Sequence, residues 1–201
     1  MLDNNYDGRC RLRITEASYV DDVTDDLHRR QRTGFTFSGV ISDERGVVVG
    51  DLQRKIYTDS QGKIVVKNEL MVLGEQARGK RISTTLSSGL EDIYRSNNVD
   101  RIEVAAMKDG GYAWARAGFD FDPDPGRLRA SVRSIERRIA EVSADASPAD
   151  QALLAGFSER FGRTPAEYPS PSELASLTGV DDLELGKTLM TGSTWHGVRV
   201  L

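Results

Sequence analysis

The segment from Leu70 to Leu86 constrains the fold of this chain more than any other, because its residue pattern changes from strand-like to helical there. An apolar strand leads through a polar, positively charged turn into an amphipathic helix. The apolar residues of that helix recur at helical spacing: Ile82, Leu86, Leu90 and Ile93. A helix N-terminus presents free backbone N–H groups and the positive end of the macrodipole, so the junction is suited to hold an anion such as a phosphate. Many basic turns bind nothing, so this junction alone does not establish an anion-binding site, and the pattern of the other segments is needed.

The sequence before this junction predicts a meander of strands. Residues 11–15 alternate between polar and apolar, and Phe35, Phe37 and Ile41 share one face of a second strand. A third strand is expected over residues 47–57 and a fourth over 64–73, each bounded by turn residues. Residues 18–32 are rich in Asp and Arg, and we expect them to be helical or partly mobile.

The sequence after the junction predicts a parallel strand pair. Asn97 and Asn98 end the helix, and alternation at residues 102–106 indicates a fifth strand. A helix that crosses between two strands of one sheet makes them parallel, so we expect the fourth and fifth strands to run in the same direction. A short helix over residues 110–117 should end at Gly118, followed by a strand at 119–121.

From Arg127 onwards the chain is mostly helical in pattern. One apolar stripe has arginines opposite it, interleaved with acids: Arg129, Arg133, Arg137 and Arg138 with Glu136 and Glu141. This pattern favours a solvated face over an anion or nucleic-acid surface. Ser147 and Ser170 are predicted N-caps, with Glu173 completing a capping box. Residues 195–201 read as a strand that returns to the main sheet. We therefore expect a core at 1–121, a helical insertion at 122–194 and a last strand at 195–201.

Composition narrows the classes of function. The 201 residues carry a net charge of −4, which argues against a general nucleic-acid binder. Cys10 is the single cysteine, and we expect it to be a small packed residue; an intramolecular disulfide and a Cys-rich zinc site are excluded. Two histidines, His28 and His196, do not suggest a metal site. With a polar N-terminus and no apolar run near the ~20 residues that a bilayer requires, a cytoplasmic protein without a membrane partner is expected.

The order of these elements resembles the GNAT superfamily of acetyl-CoA-dependent N-acetyltransferases over about residues 10–121. The first motif is the pyrophosphate loop after the fourth strand, which in the family reads Arg/Gln-x-x-Gly-x-Gly/Ala. The second is the short helix ending in Gly-Phe, here Tyr112 to Phe119. The resemblance implies an α+β fold, a mixed and mainly antiparallel central sheet flanked by helices, with the helical insertion before the last strand. It also implies direct transfer of an acetyl group from acetyl-CoA to a primary amine of a small molecule or peptide.

The resemblance assigns the acetyl-CoA contacts to two groups of residues. The family's contacts correspond to Met71, Val72 and Leu73 on the strand, and to Arg78, Gly79, Lys80, Arg81, Ile82, Ser83 and Thr84. Placing Arg78 first in the motif aligns Ile82 with the family's apolar positions, whereas placing Gln76 first shifts the helix phase. The Arg78 register puts Arg81 where the family uses a small residue, so that its guanidinium either binds pyrophosphate or blocks the site.

The catalytic residues that the resemblance implies are incomplete. Glu69, on the fourth strand, corresponds to the family's general base; alternatively it is a solvated strand residue beside Lys67. Trp114 stands where many members have a tyrosine acid, and Tyr112 lies roughly 200° around the helix from it. Asp109 fits turn chemistry better than substrate binding. The second interpretation is therefore a catalytically inactive GNAT-fold binding or assembly module, associated with a phage or a toxin.

Overall fold

The computed structural model of the chain describes residues 3–6, 8–20, 34–77 and 79–201. The chain divides into two compact units, Met1–Glu103 with Val200–Leu201, and Val104–Arg199. The strands form a mixed, mostly antiparallel sheet flanked by helices, which confirms the predicted α+β class.

The first unit is built on a meander of five strands. Its elements are β1 (Asp3–Tyr6), β2 (Cys10–Val20), β3 (Gly34–Asp43), β4 (Val48–Thr58), β5 (Ile64–Leu73), a 3-10 turn (Glu75–Ala77), α1 (Ile82–Ser96) and the first half of β6 (Arg101–Ala106). Each of β1 to β5 pairs antiparallel with the next strand. The predicted strands are confirmed, and β1 was not predicted. Residues 18–20 belong to β2 rather than to a helix, while residues 21–33, with His28, lie outside the described residues.

The start of β6 lies beside the start of β5. The Asp100 N–H donates to the Ile64 carbonyl at 2.9 Å, and the Asp100 carboxylate accepts from the Ile64 N–H at 2.8 Å. β5 and β6 are neighbours in the sheet order. Two adjacent strands that begin side by side run in the same direction, as the βαβ pattern predicts.

Helix α1 packs its apolar stripe against β1 and β2. Ile82, Leu86 and Leu90 are buried as predicted, but Ile93 is 38% exposed and Tyr94 is buried instead. At 3.6 residues per turn, a position four residues after Leu90 faces the sheet better at this end of the helix than a position three residues after it. Cys10 is fully buried, and burial raises the pKa of its thiol, in agreement with a packed cysteine.

The second unit is mainly helical. After the end of β6 it contains α2 (Asp109–Arg116), β7 (Asp120–Phe121), α3 (Pro125–Asp145), α4 (Pro148–Phe161), a 3-10 turn (Pro165–Glu167), α5 (Pro171–Ala175), α6 (Leu185–Met190) and β8 (Trp195–Val200). β7 pairs antiparallel with β8, and β8 lies between β6 and β7 in the sheet order. Residues 195–200 thus form a strand, while the division into core, insertion and last strand stays a prediction.

The predicted helix boundaries in this unit are largely confirmed. Gly118 ends α2 with a φ of 82°, and the Ser147 hydroxyl accepts from the Asp150 N–H. The Ser170 hydroxyl accepts from the Glu173 N–H at 3.1 Å, which is one half of the predicted capping box. The Glu173 carboxylate pairs with Arg160 instead of completing the box, because a guanidinium offers two charge-assisted hydrogen bonds.

Candidate anion-binding site at the β5–α1 junction

Strand β5 contains a β-bulge at Glu69. Gln53 of β4 pairs with Leu70 and Arg54 pairs with Asn68, so Glu69 is an extra residue on β5. A bulge bends its strand and redirects side chains, and bulges are frequent next to functional sites. Glu69 is consequently exposed, on the strand that leads into the charged turn.

Buried Arg54 stabilises this bulge. Its side chain is 1% exposed, and Nη1 donates to the carbonyls of Leu70 at 2.8 Å and Gln53 at 3.1 Å. Burial lowers the pKa of Arg54, and nearby Tyr94 partly opposes this effect. The sequence does not predict this role for Arg54, because an arginine within an alternating strand resembles a solvent-facing residue until the fold is known.

The carboxylate of Glu69 lies near a largely buried lysine. Its Oε1 is 3.4 Å from Nζ of Lys67, whose side chain is 10% exposed, whereas that of Glu69 is 32% exposed. This neighbour is the one that the alternative interpretation of Glu69 named. The contact orients the carboxylate and leaves it accessible to solvent, so Glu69 remains a candidate base with a positioned partner.

The backbone of the turn adopts left-handed conformations before α1. Gly79 has a φ of 75°, and Arg81 has φ 60° and ψ 14°. The Arg81 carbonyl accepts from the Thr85 N–H at 2.9 Å and so begins the helix. A non-glycine residue in this region costs about 1–2 kcal/mol. Arg81 therefore adopts the backbone conformation that glycine favours, although its side chain is large.

In the part of the chain that the structure describes, the start of α1 presents backbone donors and cationic side chains without partners. Within the described residues, the N–H groups of Ile82, Ser83 and Thr84 have no hydrogen-bond acceptor. A left-handed residue followed by helical residues directs successive N–H groups into one concavity, which suits an anion. Lys80 and Arg81 are exposed and form no ion pair in the described part of the chain.

The predicted contact residues differ in what they can offer. The side chain of Ile82 is 4% exposed, so it can contribute only its amide, while Ser83 and Thr84 expose hydroxyls. At the end of β5, Val72 is 51% exposed and Met71 and Leu73 are half-buried. These residues lie on one continuous strand–turn–helix unit. Arg78 lies outside the described residues.

Helix α2, which carries Trp114, Tyr112 and Asp109, belongs to the second unit. The Trp114 ring is half-buried and packs edge-on against Phe119, with centroids 5.1 Å apart. Tyr112 is half-buried, and Asp109 begins the helix. These positions fit the packing and turn interpretations of Trp114 and Asp109.

Neither a metal-binding cluster nor a membrane-spanning helix is found among the described residues. Among the described residues, no group of three or more His, Cys, Asp or Glu side chains is placed to hold a metal ion. No helix of the described chain has the length and apolar character required to cross a bilayer.

Comparison with known proteins gives matches among solved structures alone. No protein-family model matches the chain, and no curated protein does. Naa50 from Arabidopsis thaliana, in complex with a bisubstrate analogue, is 16% identical over 42% of this chain and 58% of its own, with a TM-score of 0.37. An acetyltransferase from Trypanosoma brucei is 21% identical over 42% of this chain and 61% of its own, with a TM-score of 0.37.

The structural neighbours are GNAT acetyltransferases. Glucosamine-6-phosphate N-acetyltransferase from Arabidopsis thaliana is another, 16% identical over 41% of this chain, with a TM-score of 0.36. The chain spans 58%, 61% and 58% of the lengths of these three neighbours. Similarity at this level carries neither an activity nor a substrate over to this chain.

Proposed function

We propose that this chain is an acetyl-CoA-dependent N-acetyltransferase that acts on a primary amine of a small molecule or peptide. The observation that supports this most strongly is the geometry at Arg81. A left-handed residue there is followed by three amides that find no acceptor among the described residues, and it lies beside Lys80, which forms no ion pair with them. Such an arrangement favours an anion with more than one negative charge, as pyrophosphate has.

The residues of the junction fit acetyl-CoA in two parts. The amides of Ile82, Ser83 and Thr84, with the side chains of Lys80 and Arg81, would hold the pyrophosphate. Gly79 would bring the backbone close to it, and the proposal includes Arg78 as a further ligand. Met71, Val72 and Leu73 would hold the pantetheine arm at the end of β5. Acetyl-CoA supplies the acetyl group as a thioester.

Glu69 is the proposed general base. Its exposed carboxylate would accept a proton from the amine, directly or through one water, while Lys67 fixes its position. The bulge that Arg54 stabilises sets the direction of this side chain. No residue is assigned as the acid, and a water molecule would protonate the leaving thiolate.

We propose that three parts of the chain have different roles. Residues 1–121 would form the core that carries the site, 122–194 the helical insertion and 195–201 the last strand. The net charge of −4 fits an amine partner rather than nucleic acid, and we place the protein in the cytoplasm.

A catalytically inactive binding or assembly module is the second candidate. The packing of Trp114 against Phe119 favours it, because no tyrosine hydroxyl stands at the position of the family's acid. The ion pair between Glu69 and Lys67 fits either candidate, since a carboxylate that contacts a lysine can also be purely structural.

A thermal shift with acetyl-CoA and with CoA tests the proposal. A ligand that binds the folded state alone stabilises it by about 2.7 kcal/mol at 100 times its Kd, so we expect a saturable rise in Tm. No rise at about 1 mM of either ligand would overturn the acetyltransferase assignment. If Tm rises, release of free CoA thiol with a panel of primary amines separates the enzyme from a module that binds without turnover.

A further inference from the structure

A groove in the second unit lies outside the proposed acetyltransferase site. It has a volume of about 290 Å³ and runs between the first half of α3 and the 3-10 turn at residues 165–167. Its apolar lining is formed by Pro125, Leu128, Val132, Pro165 and Tyr168. We propose that this groove binds a short acidic segment of a partner protein, anchored by one apolar side chain.

The charges along the groove are unbalanced. Arg129 and Arg133 line it, are exposed, and form no ion pair within residues 79–201. Glu136 is the acid that lines the groove, so the lining carries a net charge of about +1. Unpaired guanidiniums beside an apolar floor recognise carboxylates more strongly than cations facing open water, because the apolar wall lowers the local dielectric.

The other arginines of α3 are engaged elsewhere. Arg127 is buried and pairs with Asp122 at 2.7 Å. Arg138 pairs with Glu141 at 3.0 Å, and Arg137 lies 3.9 Å from the same carboxylate. The predicted solvated face of α3 is therefore not uniform. Its C-terminal half neutralises its own charge, whereas its N-terminal half leaves two cations for a ligand.

The wall opposite α3 is held in place before any ligand binds. The ring of Tyr168 packs edge-on against Phe161, with centroids 5.4 Å apart. Thr164 and Glu167 form a capping box, and Nε of Arg160 donates to the Glu167 carbonyl at 3.2 Å. A pre-ordered wall loses little conformational entropy on binding, which favours even a small contact area.

The volume of the groove and the distance between its two arginines favour a short peptide as the ligand. About 290 Å³ lies at the lower limit for a small-molecule pocket, so it accommodates one large side chain more readily than a nucleotide. Arg129 and Arg133 are one helical turn apart, which is about 6 Å along the axis. Carboxylates at positions i and i+2 of an extended peptide are separated by about 6.6 Å and match this spacing. The apolar residue between them would then face Pro165 and Tyr168.

Fluorescence anisotropy with a labelled Ser-Glu-Phe-Glu-Ser peptide and the full chain tests this proposal. We expect saturable binding that is lost when both glutamates of the peptide are lysines. Replacing both arginines, R129A with R133A, should weaken binding at least about tenfold, and so should Tyr168→Ala. Arg137→Ala is the matched control, because it removes a cation from the same helix outside the groove; its affinity should stay within about twofold.

Equal affinity for the lysine peptide, or unchanged binding by the double variant with an unchanged circular dichroism spectrum, would overturn the proposal. Displacement of the peptide by an equal concentration of inorganic phosphate or ATP would show a small-anion site instead. If the double variant does not fold, Arg133→Gln alone provides the test, with a several-fold loss of affinity expected. None of these outcomes depends on acetyl-CoA binding.

Discussion

The guanidinium of Arg54 donates a 2.8 Å hydrogen bond to the carbonyl of Leu70, across the bulge that exposes Glu69. A buried cation is costly to desolvate, and within the described residues Arg54 forms no ion pair with a carboxylate. Backbone carbonyls and the sulfur of Met71 accept hydrogen bonds from the guanidinium instead. The bulge is therefore fixed by a residue from the neighbouring strand.

Replacing Arg54 should destabilise the first unit. Arg54→Ala would leave the Leu70 carbonyl without its donor and open a cavity, so we expect a loss of about 3–5 kcal/mol in the free energy of unfolding. Arg54→Lys should recover part of this loss, because an ammonium reaches fewer acceptors. Urea denaturation measures both variants. Gln53→Ala, at an exposed neighbouring side chain, is the control and should change stability by less than about 0.5 kcal/mol.

Replacing Arg81 by glycine should raise stability. Glycine adopts the φ of 60° without the steric cost that arginine has, so Arg81→Gly should gain about 0.5–1 kcal/mol in urea denaturation. Lys80 is not among the residues with positive φ, so Lys80→Gly should lose stability through the greater entropy of the unfolded chain. A gain at position 80, or a loss at position 81, would contradict the left-handed assignment.

The same Arg81 variant should weaken acetyl-CoA binding. If the guanidinium is a pyrophosphate ligand, titration calorimetry should show Kd rising about tenfold although the protein is more stable. The opposite signs separate a lost ligand from a damaged fold. Tighter binding by Arg81→Gly would instead identify the arginine side chain as an obstruction.

Glu69→Gln should reduce turnover without affecting the acyl donor. Loss of a general base typically lowers kcat about 10²–10⁴-fold, while Kd for acetyl-CoA should stay unchanged. Lys67→Met should lower kcat less, because it removes the orienting contact and keeps the carboxylate. Unchanged turnover in Glu69→Gln would show that the carboxylate has the structural role alone.

The two adjacent glycines of α2 should respond differently to alanine. A Cβ at Gly111 would lie 2.2 Å from the Met190 carbonyl, whereas one at Gly110 would meet atoms of Trp114 at 3.5 Å. Gly111→Ala should therefore destabilise by several kcal/mol, and Gly110→Ala should be neutral or stabilise by up to about 1 kcal/mol. Thermal unfolding followed by circular dichroism distinguishes them, and equal effects would contradict the close packing of α2 and α6.

The carboxylate of Asp150 should make stability depend on acid pH. Backbone N–H groups of Asp182, Val180 and Asp181 donate to it and lower its pKa below the usual value. A lowered folded pKa means that the stabilisation is complete above the unfolded pKa of about 4 and is lost as pH falls through the folded pKa. Asp150→Asn should lower the urea midpoint at about pH 7 and lose less stability than wild type on acidification to about pH 3.

Much of the fold could be predicted from local pattern. Strand β5 was placed correctly from its apolar residues, and Ser147 and Ser170 were identified as caps from their position before proline. These features depend on residues within a few positions of one another, so the sequence contains them directly. Ile93 was misplaced because the inner face of a helix drifts relative to a fixed spacing.

In the candidate site too, some features follow from local sequence and others from tertiary contacts. The sequence by itself predicted the charged turn and the helix that follows it. The tertiary structure decided that Arg81 adopts a left-handed conformation, that Glu69 is the extra residue of a bulge, and that Arg54 is buried. The bulge at Glu69 and the burial of Arg54 depend on which residue of β4 lies opposite which residue of β5. Strand register arises from long-range pairing, which no local pattern encodes.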